Sequence, residues 1–170
     1  MNSKTILSLS IATIFAVSML GMAFAAGHDV LSSYPTIAGK GAKTVTFTAM
    51  ANVPTDGTGG NFGFGIFAEK GVVVATSHPV AIYSVAQPPL EAFHSHLVQL
   101  DTPTADCASG IAVASLTKHE VGKVSVSGDK VTIKNIPPGQ SGDLTGPAVS
   151  FTLSIENGRV CVNPTALIAP

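Results

Sequence analysis

From residue 43 onward, apolar and polar residues alternate in short runs, and glycine, proline and asparagine interrupt the alternation at close intervals. Thr44-Val45-Thr46-Phe47-Thr48-Ala49 sets Val45, Phe47 and Ala49 on one side and three threonines on the other. That two-residue period predicts a half-buried strand. Pro54 to Gly60 is a cluster of turn formers. Phe62-Gly63-Phe64-Gly65-Ile66-Phe67 alternates large residues with glycine, which in a strand marks a close backbone approach or a barrel bend. Glu69-Lys70-Gly71 turns the chain into a valine run, Val72 to Val74, and Val80 to Val85 forms another candidate strand before Pro88-Pro89. Glu91 to Leu100 places Phe93, Ser95 and Leu97 on one face and His94, His96 and Val98 on the other. Ile111 to Leu116 is a further candidate. Val124 to Ser127 and Val131 to Ile136 flank Gly128-Asp129 as a hairpin, and Val149 to Ile155 returns through Asn157-Gly158 into Val160-Cys161-Val162. Asn-Gly is the strongest short hairpin signal in the chain. About eight to ten short strands and no helix beyond the leader predict an all-β fold, an antiparallel Greek-key sandwich or flattened barrel.

The first 25 residues follow another pattern. Lys4 precedes an apolar run from Ile6 to Phe24, which ends in Ala23-Phe24-Ala25 with small residues where a signal peptidase reads. Residues 1–25 are expected to be a signal peptide, residues 26–42 a flexible Gly-, Ser- and Ala-rich arm, and residues 43–170 a single β-sandwich domain. The competing reading of the leader is a retained anchor, since the run approaches spanning length. No later stretch is long and apolar enough to span, so no membrane contact is expected after cleavage. The expected location is secreted, or the periplasm or cell envelope.

Composition narrows the function. Of 170 residues, 11% are charged, with 9 Lys and Arg against 10 Asp and Glu. That balance supplies no basic patch for nucleic acid. The two cysteines, Cys107 and Cys161, are expected to pair in an exported chain. Closing so long a loop is worth roughly 4 kcal/mol. A thiolate metal site is the weaker alternative, because neither cysteine has a Cys or His two to four residues away. No G-x-S-x-G elbow, H-E-x-x-H motif or blue-copper ligand loop occurs.

His94 and His96 are the pair that carries chemistry. Two positions apart on a strand, they leave the same face with Cα atoms about 6.5–7 Å apart. Imidazoles so placed can converge on one ion at about 2.0–2.1 Å each, and imidazole suits copper and zinc. The plain alternative is two polar residues on a solvated face. His78, before Pro79, reads as a turn residue, and His119, between Lys118 and Glu120, as a solvated one unless either joins the pair. His28 has a separate possibility: cleavage after Ala25 would expose Ala26-Gly27-His28. Its amine, two amides and imidazole could wrap Cu(II) or Ni(II) in a square plane.

Phe93-His94-Ser95-His96, then Asp101, Cys107-Ala108-Ser109-Gly110 and finally Gly158-Arg159-Val160-Cys161 together resemble the copper/zinc superoxide dismutase family. The glycine-alternating hairpin from Gly63 to Val74 resembles that family's early hairpin, and the same stretches are more faintly similar to CHRD domains. The resemblance implies a superoxide-dismutase-like barrel, with His94 and His96 as copper ligands. It makes Cys107–Cys161 the structural disulfide and Arg159 a residue guiding an anion toward the metal. His119 is the one histidine between the cysteines, so it is the candidate third copper ligand, and the family's zinc loop has no counterpart. Copper is therefore the expected cofactor and zinc is not. The expected partners are a metal ion, superoxide and a second copy of the chain in a homodimer. The competing reading is a non-catalytic extracellular structural or binding module that has lost its metal.

Overall fold

A computed structural model describes residues 27–56, 58–78 and 93–170. The leader and the candidate strand Val80 to Val85 lie outside the described residues. Among the described residues, no helix is long and apolar enough to cross a membrane. The strands are β1 (Thr36–Ala38), β2 (Lys43–Thr48), β3 (Phe62–Ala68), β4 (Gly71–Ser77) and β5 (His94–Asp101). They continue with β6 (Ala112–Leu116), β7 (Lys123–Ser127), β8 (Lys130–Ile136), β9 (Ala148–Glu156) and β10 (Arg159–Ile168). A single helical turn, α1 (Pro138–Ser141), precedes β9. The all-β expectation holds in both its forms. A four-stranded antiparallel sheet, β1-β2-β8-β7, accompanies a closed barrel of order β10-β6-β5-β4-β3-β9.

Alternation sorts the side chains into two cores. Val45 and Phe47 of β2 and Val131 and Ile133 of β8 pack with Phe62, Phe64 and Ile66 of β3 and Val73 and Ala75 of β4. This is the interior between sheet and barrel wall, where Phe47 stacks on Phe64 at 5.9 Å. The other parity, Val72, Val74, Val98, Val149, Phe151, Val160 and Val162, fills the barrel itself. Among the described residues, the strand register shifts at three places, between β9 and β10, β2 and β8, and β5 and β6. In β8, Asn135 takes φ 60°, and the extra residue lets both Ile133 and Ile136 turn inward.

The glycines of β3 point into the barrel. A Cβ on Gly63 would lie 2.6 Å from the Ala75 carbonyl oxygen and 2.8 Å from the Phe151 ring. A Cβ on Gly65 would meet Val72 and Val74 at 3.0 and 3.1 Å. Six strands enclose a narrow interior, and glycine on β3 leaves room for the ring of Phe151, its direct cross-strand partner on β9. Phe62, Phe64 and Ile66 of the same strand face the inter-layer core, so the Phe-Gly alternation encodes both sides of the wall.

Residues 27–42, expected as a flexible arm, are built into the fold instead. β1 pairs with β2 from Thr36↔Thr46 to Ala38↔Thr44, Leu31 bridges Ala49, and Val30 and Leu31 are buried. Cys107 and Cys161 are disulfide-bonded with Cα atoms 5.6 Å apart. The bond lies at the barrel's thinnest seam, where β6 and β10 share one ladder pair, Ala112↔Cys161.

Candidate metal centre

β4 and β5 bring histidines to one end of the barrel. They pair antiparallel, with Val74 opposite His96 and Thr76 opposite His94. His94, His96 and Val98 share one face of β5, as the alternation predicts, and Ser95 and Leu97 turn to the other. His78 immediately follows β4, in phase with Val72, Val74 and Thr76, so it arrives diagonally beside His94. The His78 and His94 ring centroids are 4.7 Å apart, and those of His94 and His96 are 4.9 Å apart. All three side chains are buried, at 7%, 3% and 9% exposure.

The nitrogens are arranged in two ways. His78 Nε2 and His94 Nε2 lie 3.0 Å apart in a hydrogen bond that one ring donates and the other accepts. His96 Nδ1 is 2.8 Å from the Thr117 carbonyl oxygen. A carbonyl only accepts, so Nδ1 carries the proton and Nε2 keeps its lone pair. Metal-binding imidazoles are oriented by such a carbonyl. Thr117 also holds the strand, accepting Leu97 N–H on Oγ1 at 3.1 Å and donating its own N–H to the Leu97 carbonyl at 3.1 Å. Burial pushes the His96 imidazole from its ordinary 6.5 down to about 4. Repulsion from His94 and, more weakly, His78 acts in the same direction, and the Thr117 carbonyl opposes it.

The donor set fits a metal in part. The Nε2 atoms of His78 and His94 could ligate one ion only after the proton shared between them is lost, and imidazole suits copper and zinc alike. The third ring is adjacent, yet among the described residues no group of three or more His, Cys, Asp or Glu side chains is already disposed around a metal position. The chain matches no protein family, curated protein or solved structure.

The other candidates lie elsewhere. His119 is exposed in the β6–β7 connection, and among the described residues no hydrogen bond or ring contact joins it to the cluster. His28 packs edge-on against Phe62 at 5.0 Å, with Nε2 3.3 Å from the Gly59 carbonyl oxygen. Arg159 begins β10 and binds Asp101 Oδ2 at 2.8 Å and Asp106 Oδ2 at 3.3 Å. Asp101 ends β5 and His94 begins it, a separation of roughly 20 Å at strand rise. The structure therefore does not bring Arg159 to the histidines; two carboxylates occupy its guanidinium at the disulfide end. Ala108 N–H donating to Glu156 at 2.7 Å and Asn157 donating to the Asp106 carbonyl at 3.0 Å tie the Cys107 loop to the same hairpin.

Sequence reasoning also misplaces His78. Its neighbour Pro79 reads as a turn signal. Its phase with Val72, Val74 and Thr76 was the stronger signal and was available.

Proposed function

We propose that this chain is an exported, disulfide-bonded β domain, similar to the copper/zinc superoxide dismutases, that binds copper through His94 and His96 with His78 as the third imidazole. The observation that carries the reading is the gathering of three buried imidazoles, with neighbouring ring centroids 4.7 and 4.9 Å apart. His96, held neutral by burial, needs no deprotonation before it ligates. Copper would supply one-electron redox chemistry at this end of the barrel. The chain's own residues hold and orient the imidazoles and exclude most water from them. Superoxide turnover is the narrower form of the proposal. With Arg159 engaged by two carboxylates, anion attraction at the histidines has no arginine from β10 behind it.

One observation favours a second reading, a non-catalytic extracellular structural or binding module. The His78–His94 hydrogen bond joins the two rings directly, as in a metal-free core. Metal content of the purified protein separates the two. The copper reading predicts about one equivalent retained by wild type and loss in His94→Ala and His96→Ala. A wild-type protein that retains no copper after loading and dialysis leaves the module. Superoxide consumption by the loaded protein then tests the narrower claim.

A further inference from the structure

The barrel interior is not completely filled. Inward side chains from all six strands leave a cavity of about 60 Å³. It is walled by aliphatic and aromatic groups, among them Val74, Val98, Val149, Phe151 and Val162. Among the described residues, its polar lining is Thr76, His78 and His96. Thr76 donates its hydroxyl to the Phe62 carbonyl at 3.0 Å, and the His96 Nδ1 proton goes to Thr117. Water needs two to four polar partners to occupy such a space; the His96 Nε2 acceptor lies at the histidine end, and the part walled by aliphatic and aromatic groups stays dry. The volume is well above the roughly 10–15 Å³ of one water-sized sphere and well below the roughly 150 Å³ of an apolar cavity that admits benzene. The lining atoms lack contacts on their open side, and a nonpolar guest restores them without giving up hydrogen bonds to water.

We propose that the barrel cavity binds a small apolar guest of one to three heavy atoms, the class that xenon and dioxygen represent. The site stands whether or not the histidines hold a metal. Its polar end is the imidazole cluster, so a dioxygen-sized guest inside the barrel lies next to those rings. The cavity therefore joins an apolar binding space to the candidate metal centre through His78 and His96.

The test is a xenon titration of the purified, metal-free protein, followed by methyl resonances. The expected result is saturable shift changes at Val74, Val98, Val149 and Val162. Val45, Val131 and Ile133, in the core between the layers, serve as internal controls and are expected not to move. Dissolved dioxygen should broaden the same four barrel valines most strongly. Val98→Leu, which adds volume to the lining, is expected to abolish the saturable response; Val162→Ile serves if that chain does not fold. Shifts that grow linearly with pressure, or that spread equally over both cores, overturn the proposal. So does a folded cavity-filling variant with the wild-type response.

Discussion

Gly63 carries the tightest steric requirement in the barrel wall. The space its side chain would need is taken by the Ala75 carbonyl on one side and the Phe151 ring on the other, and the carbonyl cannot retreat without opening the β3–β4 pair. Gly63→Ala is therefore expected to cost about 1–3 kcal/mol, read as a lower denaturant midpoint. His96 sets a different kind of limit. The unfolded imidazole takes a proton near its ordinary 6.5, whereas the folded one resists until about 4. Between those values the unfolded state binds more protons, so stability falls as pH drops. The metal-free protein should keep its His96 contribution above pH 6.5 and lose it progressively toward pH 4. His96→Gln should flatten that part of the denaturant-midpoint profile, and an unchanged slope would count against a buried neutral imidazole. Thr117→Val removes the hydroxyl that accepts Leu97 N–H but leaves the carbonyl that orients His96. Copper affinity should fall about tenfold, as when a ligand's outer support is loosened, with the loading stoichiometry intact.

Elements show how much the sequence carries by itself. The strands around Val45, Val131 and Val149 follow from simple alternation, and the β9–β10 turn follows from Asn157-Gly158, both at positive φ. The faces of β5 also follow, because a period of two leaves His94 and His96 no choice but to agree. Bulges do not follow. Nothing in Lys134-Asn135 announces the extra residue that turns Ile136 inward, since a bulge depends on the partner strand. β1 is not announced by the sequence because it is three residues long and exposed at both ends, and it becomes a strand through pairing with β2. Arg159 was read by its distance from Cys161 along the chain, while its position depends on which end of β5 meets the β9–β10 hairpin. The disulfide matters at this scale. It reinforces a seam with one ladder pair. Replacing both Cys107 and Cys161 by serine should lower stability by about 4 kcal/mol and speed amide exchange first in β6 and β10. Uniform acceleration over both layers would argue that the seam is not the barrel's point of closure.

At the scale of the whole molecule, the two ends of the barrel divide the chemistry. Charges collect at the disulfide end, where Arg159, Asp101 and Asp106 lock a loop. Imidazoles collect at the other, against an apolar interior. The four-stranded sheet covers the opposite face of β3 and β4 and so supports the wall from which the histidines project. That arrangement makes His78 the residue on which the account turns, because it alone comes from outside the His-x-His strand. The most direct measurement is electron paramagnetic resonance of the copper(II)-loaded protein, comparing wild type with His78→Ala. The account predicts a single bound copper(II) whose nitrogen superhyperfine structure loses one nitrogen in the variant, with weakened binding. A wild-type and a variant spectrum with the same nitrogen count and affinity would contradict it.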